Sequence, residues 1–389
     1  MKFKIESEPL SGWWRVVLSA LVIATAAVAI HGLTPPRALD ESAPADQFSA
    51  ARAKAHLQQI AREPHSIGTP ENGRVRDYLV QQLTALGGEV QVERTTGITG
   101  YERVISFGRA ANVFATFRGR RGSGRAVMLT SHYDSVPEGP GAADAGSGVA
   151  TILEVLRALK TGAPLQNDLL ILITDGEEAG LIGAAGFVQD HPLIAQRVGV
   201  VLNFEARGSS GPALMFETSE GNGWLAREFA RAAPYPMGSS LAYAVYQRLP
   251  NNTDMTVFKK AGLTGLNFAF SGTFENYHTR RDTAENLDVH SLQQLGSNAL
   301  ALTRHFGNLP LGDERPPNRV FFDWYGSGLV HYQPWVVWTM LVLVGGLFAA
   351  VARILTRRGL VAPWRVLGGV AASLLVILSS IAGASAAWW

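Results

Sequence analysis

The chain has 389 residues and a formal net charge of only +2, so its composition gives no support to nucleic-acid binding. It contains no cysteine, which excludes disulfide bonds, thiol nucleophiles and thiolate metal ligands. Hydrophobic residues make up 47% of the sequence, and the longest apolar runs lie near its two ends.

The first element is an apolar run from Val16 to Leu33, which as a helix is long enough to cross a hydrocarbon core of roughly 30 Å. We predict a cytoplasmic N-terminus over residues 1–12 and a transmembrane helix over residues 13–33. A cleaved signal peptide is the alternative, because the small residues from Ala24 to Ala29 suit a signal peptidase. Either interpretation exports the region that follows.

Two more apolar runs near the C-terminus predict transmembrane helices over residues 334–352 and 366–387, joined by a loop over residues 353–365. Basic residues cluster on one side of the three spans: Lys2, Lys4, Arg15, Arg353, Arg357, Arg358 and Arg365. The positive-inside rule therefore assigns the N-terminus and this loop to the cytoplasm. The sequence predicts a multi-pass membrane protein with an extracytoplasmic middle region, in a periplasm, or in an organelle lumen if the host is a eukaryote.

Between linkers over residues 34–46 and 311–333, the sequence predicts one domain over residues 47–310, long enough to form its own hydrophobic core. Runs rich in β-branched and aromatic residues alternate there with helical patterns. The predicted strands are "GEVQVERTT", "ANVFATFRG", "AVMLTSHYD", "NDLLILITDG", "VGVVLNFEARG" and "TGLNFAF", and the predicted helices are Gln47 to Arg62, Glu71 to Leu86, Gly148 to Lys160 and Ser291 to Phe306. Several strands are apolar on both faces, which predicts an α/β fold with helices covering both sides of a mostly parallel sheet. The basic segment from Arg118 to Arg125 is interpreted as a solvated hairpin loop.

Polar side chains follow the predicted strands at the points where they end. They are His132 and Asp134 after the third strand, Asp144 in the loop beyond it, Glu177 and Glu178 after the fourth, Glu205 at the end of the fifth, and His278 after the last. In an open α/β sheet the loops beyond the carboxyl ends of neighbouring strands converge, and ligands bind there. We therefore expect these side chains to lie close together.

Histidine and carboxylate side chains without cysteine suit zinc, manganese or cobalt, and an open coordination position makes such a site catalytic. A dinuclear site needs one bridging carboxylate, together with one nitrogen and one carboxylate for each ion. That count is supplied by His132, Asp144, Glu178, Glu205 and His278. Glu177 is then left to deprotonate a metal-bound water, and Asp134 to hold the second ring nitrogen of His132. The alternatives are a solvated helix start for the two glutamates and a structural turn for Asp134.

Six more polar residues lie near these positions in the sequence and are predicted to line the pocket: Asn203, Arg207, Tyr277, Arg280, Arg281 and Asp282. Arg280 or Tyr277 would polarise a substrate carbonyl or hold a carboxylate, while an ordinary salt bridge from Arg280 to Asp282 or Glu275 is the alternative. The sequence has no G-x-S-x-G motif, so a serine hydrolase would lack its nucleophile turn.

Four ordered motifs, "SHYDSVPEGPGAAD", "TDGEEAGLIGAAGF", "NFEARG" and "YHTRRDT", resemble the co-catalytic dizinc aminopeptidase family. The resemblance covers about Pro64 to Phe306 and is strongest to the membrane branch, which includes the endoplasmic reticulum metallopeptidase and the vacuolar membrane protease. It implies a three-layer α/β sandwich with a mostly parallel mixed sheet and two Zn²⁺ ions per chain. Its implied ligand set has His132 and His278 as terminal ligands, Asp144 as the bridge and Glu178 and Glu205 as further ligands, with Glu177 as general base. That branch carries many more spans, so we expect a short form or a fragment.

The residues and the resemblance together predict a membrane-anchored dinuclear zinc metallopeptidase that acts on peptides or proteins as an aminopeptidase. A metal-bridging water, activated by Glu177, is expected to attack the peptide bond. One alternative is a glutaminyl-cyclase-like transferase with a single zinc, which shares the fold and similar "HYDS" and "DGEEA" segments. The other is a non-catalytic receptor-type domain. Membrane lipid is an expected partner, nucleic acid is not, and the oligomeric state is left open.

Overall fold

The structure is a computed structural model that describes residues 12–101, 104–121, 124–313 and 315–388. The chain divides into two units, of which the first ends at His331 and the second begins at Tyr332. The sheet and the candidate site lie within the first unit, and the last two helices form most of the second.

A seven-stranded mixed sheet forms the centre of the first unit. Its strands are β1 (Glu89–Tyr101), β2 (Val104–Phe117), β3 (Ala126–His132), β4 (Leu169–Thr174), β5 (Val198–Ala206), β6 (Leu214–Thr218) and β7 (Gly265–Phe270). Their spatial order is β1-β2-β4-β3-β5-β7-β6. The four central strands β4, β3, β5 and β7 run parallel, while β1, β2 and β6 join antiparallel at the edges. A separate two-stranded sheet pairs β8 (Val320–Asp323) with β9 (Leu329–Tyr332).

Helices cover both faces of the main sheet. The α-helices are α1 (Gly12–Leu33), α2 (Ala50–Ile60), α3 (Pro70–Ala85), α4 (Gly148–Leu159), α5 (Ile182–Asp190), α6 (Ile194–Arg197), α7 (Gly223–Ala232), α8 (Ser240–Tyr246), α9 (Asp254–Lys260), α10 (Val289–Asn308), α11 (Trp335–Arg357) and α12 (Pro363–Trp388). One buried apolar cluster includes residues of α2, α3, α4, α7 and α10, and a smaller one includes residues of α5, α6 and α9. The fold is thus the predicted three-layer α/β sandwich.

The central strands are apolar on both faces because each face packs against helices. Every residue of β3, β4 and β5 is buried. Side chains alternate between the faces of a strand, so Val127 and Leu129 join the larger cluster while Met128 joins the smaller one. The start of α3 also agrees with the sequence, since Thr69 accepts a hydrogen bond from the Asn72 amide and Pro70 occupies the first turn.

The order of the strands corrects one interpretation of the sequence. The segment from Arg118 to Arg125 joins β2 to β3, but β4 lies between these two strands, so the segment is a crossover and not a hairpin loop. Antiparallel pairing of β2 with β4, as between Val113 and Ile173, fixes this arrangement. The sequence patterns also missed β6, β8 and β9, which are short strands of four or five residues.

A buried charge fastens α2 to α4. Glu154 of α4 is fully buried and binds Arg52 of α2 at 2.8 Å, Arg157 at 2.6 Å and the Ser49 amide at 3.1 Å. Each of its oxygens therefore has a partner, which is the condition under which an ionised carboxylate is stable in a protein core.

Glu154→Ala is expected to lower the free energy of unfolding by about 3–5 kcal/mol, because it leaves two arginines without their shared acceptor. Denaturant titration of the detergent-solubilised chain, followed by tryptophan fluorescence, measures this change. Glu89→Ala is the control, since Glu89 pairs with Arg118 at the exposed surface and its loss should have little effect. An equal loss in both variants would contradict the role assigned to Glu154.

Within the described part of the chain, three helices are long and apolar enough to cross a membrane by length and composition: Gly12–Leu33, Trp335–Arg357 and Pro363–Ala384, with mean hydropathy between 2.1 and 2.3. Their most apolar windows contain no buried residue among the parts of the chain that are described. Within the second unit, α11 continues past residue 352 to Arg357, so that Arg353 and Arg357 belong to the helix. The orientation of the three helices remains a prediction.

Candidate metal centre and its cavity

The ends of three central strands and two loops bring all the predicted ligand residues to one edge of the sheet. His132 is the last residue of β3, and Glu205 lies next to the end of β5. Asp144 lies in the kinked segment Ala142–Ser147 directly before α4, where its own backbone angles (φ −105°, ψ 99°) are not helical. Glu178 follows β4 after a bend at Gly176, whose φ of 73° is in the left-handed region that favours glycine.

Asp144 stands between the two histidines. Its Oδ1 lies 3.3 Å from Nε2 of His132, and its Oδ2 lies 3.1 Å from Nε2 of His278. Each histidine also meets a second carboxylate: Glu205 Oε2 is 3.4 Å from His132 Nε2, and Glu178 Oε1 is 3.1 Å from His278 Nε2. The five side chains therefore form two histidine-carboxylate pairs that share one central carboxylate.

Asp134 supports this cluster in two ways. The Nδ1 of His132 lies 3.0 Å from the Asp134 carbonyl oxygen, which only accepts hydrogen bonds, so Nδ1 carries a proton and Nε2 is the ring nitrogen that faces the cluster and would bind a metal ion. The Asp134 carboxylate is 3.5 Å from Nδ1, and it accepts hydrogen bonds from the Glu177 and Glu178 amides at 3.0 and 3.2 Å. The carbonyl oxygen of Asp134 is thus the nearer partner of the imidazole ring, and its carboxylate lies by the same ring nitrogen while it holds the glutamate bend.

Asp282 holds the loop that carries Asp144. Its carboxylate accepts hydrogen bonds from the amides of Ala143 at 2.6 Å and Asp144 at 3.1 Å, and its carbonyl oxygen accepts one from Ala142 at 3.1 Å. Burial raises the pKa of Asp282 to about 7, and the charge of Asp144 adds to this rise. The sequence placed Asp282 near the pocket but gave no sign of this link.

A ladder of buried polar side chains supports Glu205 from behind. Asn203 donates to Glu205 Oε1 at 3.0 Å and to Asn267 Oδ1 at 2.9 Å, and Asn267 donates to Glu217 Oε2 at 2.9 Å. Lys259 pairs with the other oxygen of Glu217 at 2.5 Å. The ladder crosses β5, β7 and β6, so it depends on a strand order that the sequence patterns did not predict.

The cluster carries more negative than positive groups. Burial raises the pKa of Glu178 to about 7, with a further contribution from the charge of Asp144. Burial likewise raises the pKa of Glu177 well above its ordinary value; His132 opposes this rise, and Glu205 and Glu178 add to it. Burial would also raise the pKa of Asp144, but hydrogen bonds from His132 and His278 outweigh it and lower the value to about 2. A site with this surplus of buried carboxylates favours bound cations.

The donor atoms fit a metal ion of the zinc type. His132, Asp144 and Glu178 each offer a ligand atom, and these atoms all lie within 4.8 Å of one another. Glu178 Oε1 is buried and accepts no hydrogen bond, although His278 Nε2 is only 3.1 Å away. Two such atoms that approach closely without hydrogen bonding are placed as ligands of one cation would be. A nitrogen and oxygen donor set without thiolate suits zinc, manganese or cobalt.

A cavity of about 1070 Å³ opens onto the cluster. Asp144, Glu177, Glu178, Glu205 and His278 all contribute to its wall. Much of the remaining wall is apolar and comes from the β1–β2 hairpin, from β6 and from the region of α8 and α9, including Ile98, Val104, Phe216, Val245, Leu249 and Val257. Tyr277 and Arg207 also line the cavity, whereas Arg280 and Arg281 are exposed and do not.

A three-layer α/β sandwich with histidines and carboxylates at the carboxyl edge of its sheet, opening on a large cavity, is the arrangement expected of an α/β metalloenzyme. Residues 112–303 match Peptidase family M28. The chain therefore contains a peptidase family M28 domain.

The related sequences include proteins named endoplasmic reticulum metallopeptidase 1 and vacuolar membrane protease. Endoplasmic reticulum metallopeptidase 1 of Homo sapiens is 31% identical over 308 residues, which cover 74% of this chain and 34% of that protein. The vacuolar membrane protease of Candida albicans is 34% identical over 246 residues, which cover 63% of this chain and 29% of that protein. The chain thus spans about a third of the length of the curated relatives it matches.

Solved structures share the fold at lower identity. An aminopeptidase from Aneurinibacillus sp. strain AM-1 has a TM-score of 0.54 at 14% identity, covering 72% of this chain and 97% of that one. A zinc aminopeptidase from Bacillus subtilis has a TM-score of 0.54 at 17% identity, covering 70% and 98%. A glutaminyl cyclase from Porphyromonas gingivalis has a TM-score of 0.52 at 21% identity, covering 66% and 98%. The fold is therefore compatible with both chemistries, and the site must distinguish them.

Proposed function

We propose that this metallopeptidase is a membrane-anchored dinuclear zinc aminopeptidase. The observation that carries the proposal is the Asp144 carboxylate shared by His132 and His278, each of which has a further carboxylate of its own. A single ion would need only one of these two pairs. A shared carboxylate with a histidine on either side supports a pair of ions.

In this proposal one zinc would be held by His132 and Glu205, the other by His278 and Glu178, and Asp144 would contact both. Bound zinc supplies Lewis-acid polarisation of the substrate carbonyl and lowers the pKa of water. The hydrogen bond from Nδ1 of His132 to the Asp134 carbonyl oxygen orients the ring so that Nε2 would face the zinc ion.

Glu177 is the proposed general base. Its side chain lines the cavity, and its amide is held by Asp134 next to the amide of Glu178. Because the Asp134 carboxylate binds the amides of both glutamates, it fixes the backbone bend between them. Glu178 can then bind a metal ion while Glu177 acts as the base. Glu177 would accept the proton of the attacking water and return it to the leaving amine.

We further propose that the three apolar helices anchor the chain and that the peptidase domain is extracytoplasmic. The arginines at the adjoining ends of the second and third helices, and the basic residues before the first, support this orientation. The names of the related endoplasmic reticulum and vacuolar membrane proteins agree with a membrane location.

The purified full-length chain is expected to contain about two zinc ions and to release the N-terminal residue from aminoacyl fluorogenic substrates. A chelator should abolish this cleavage, and added zinc should restore it. Elemental analysis by mass spectrometry and initial rates over a panel of aminoacyl groups measure both properties. One zinc per chain together with pyroglutamate formation from N-terminal glutamine would instead support the cyclase, and cleavage that resists the chelator would contradict a metallopeptidase.

A further inference from the structure

Arg207 enters the cavity from a rigid part of the sheet. It follows directly after β5, two residues beyond Glu205, and its amide donates to the Phe270 carbonyl at 2.9 Å. Residues two apart on an extended strand point to the same side, so Arg207 shares the cavity with the cluster. Its backbone is held by the same strand pairing that positions Glu205.

Two aromatic rings fix the guanidinium group. The Cζ of Arg207 lies 5.6 Å from the ring centroid of Phe274 and 5.8 Å from that of Tyr277. Tyr277 in turn stacks on His278 at 3.8 Å between ring centroids. A cation over aromatic faces is held in place without being neutralised. One aromatic ring therefore separates a positive charge from a proposed zinc ligand.

The guanidinium group has no carboxylate partner among the residues that the structure describes. None of their acidic side chains forms a salt bridge with Arg207, and its Nε is buried without a hydrogen-bond acceptor. Arg52 and Arg157, by contrast, both bind Glu154. The guanidinium group donates no side-chain hydrogen bond to a described residue, so its donors that face the cavity are available to an acceptor on a ligand.

The charge of the cavity agrees with an anionic ligand. Its four carboxylates, those of Asp144, Glu177, Glu178 and Glu205, would be offset by two bound divalent ions. Arg207 then remains as an uncompensated positive group in the wall, together with the exposed Lys260 at the same cavity. Guanidinium groups bind carboxylates through two parallel hydrogen bonds, which also fixes their orientation.

We propose that Arg207 binds a carboxylate group of the peptide substrate and so determines specificity. The carboxylate is the free C-terminus of a dipeptide or an acidic side chain beside the cleaved bond. The proposal rests on the proposed peptidase function. Binding of this carboxylate would make the protein selective for short or acidic peptides. It would also give a function to Arg207, which is not one of the proposed metal ligands.

The test compares the zinc-loaded full-length chain with its Arg207→Gln and Arg207→Lys variants on leucyl-alanine, leucyl-alanine amide and leucyl-glutamate amide. Arg207→Gln is expected to raise KM about 10- to 100-fold for the substrates that carry the recognised carboxylate, with little change in kcat. Arg207→Lys should recover part of this loss. If Arg207→Gln raises KM for leucyl-alanine alone, Arg207 binds the C-terminal carboxylate of the substrate. If it raises KM for leucyl-glutamate amide, Arg207 binds the acidic side chain. Arg120→Gln is the control, because Arg120 is exposed and outside the cavity wall.

An equal loss of kcat/KM on all three substrates, with or without carboxylate, would overturn the proposal, as would unchanged KM values in Arg207→Gln. Zinc content and thermal unfolding of each variant distinguish such results from misfolding. If the wild-type chain cleaves none of the substrates, the peptidase function fails, and isothermal titration with leucyl-alanine and its amide tests Arg207 separately. Carboxylate-dependent binding that is lost in Arg207→Gln would retain the role of Arg207, and binding that ignores the carboxylate would reject it.

Discussion

Glu177→Gln is expected to reduce kcat for peptide hydrolysis by about 100- to 10,000-fold, which is the usual contribution of a general base. The amide has nearly the size of the carboxylate but does not accept the proton of the attacking water. Zinc content should not change, because the proposed ligand is the neighbouring Glu178, whose Oε1 lies 3.1 Å from His278 Nε2. Initial rates and elemental analysis on the same preparation measure both quantities.

The matched control is Glu285→Gln, since Glu285 is exposed and does not line the cavity. This variant should hydrolyse peptides at the wild-type rate. A Glu177→Gln variant that is as fast as the control would remove Glu177 from the mechanism. A slow variant that has also lost zinc would show that Glu177 acts in metal binding, and the general base would have to be sought elsewhere.

Asp144→Asn is expected to lower zinc content at both positions and to reduce activity by more than about 100-fold, the upper range for changes that act only behind a ligand. The reason is geometric: the two oxygens of Asp144 lie 3.3 and 3.1 Å from the two histidine Nε2 atoms. Replacing one of these oxygens by an amide nitrogen removes the negative charge and one of the two donors. Zinc titration of the chelator-treated variant measures the affinity at each position.

Asp190→Asn serves as the control, because Asp190 is an exposed residue at the end of α5. It should bind zinc as the wild-type chain does. An Asp144→Asn variant that loses one ion and keeps the other tightly bound would mean that Asp144 serves a single ion. That result would favour the single-zinc transferase over the dinuclear peptidase.

Both variants act on a cluster that is held by polar residues outside the ligand set. Asp282 fixes the amides of Ala143 and Asp144, and Asp134 fixes the amides of Glu177 and Glu178. Such support holds ligand atoms in place before a metal binds and so reduces the cost of assembling the site. The left-handed backbone of His278, with φ of 55°, is a strained conformation of the kind found at functional sites.

The sequence alone determined the elements whose signal is local. Strands β3, β4, β5 and β7 were predicted because strands buried on both faces consist of continuous apolar, β-branched runs. The three apolar helices follow from length and composition. The site could be sought at one edge because the carboxyl ends of parallel strands face the same way, which is why His132 and Glu205 were expected to lie close together.

Which distant segments of the chain meet is visible in the folded structure and not in the sequence. In the sheet, β4 lies between β2 and β3, and the short strand β6 forms one edge. Asp282 binds the loop that carries Asp144. Arg207 packs against the rings of Phe274 and Tyr277. The sequence also did not show which groups Asp134 contacts. Its carbonyl oxygen lies 3.0 Å from His132 Nδ1, and its carboxylate accepts hydrogen bonds from the amides of Glu177 and Glu178. These features depend on strand order and on side-chain direction at loop positions, and neither is encoded in the spacing of residues along the chain.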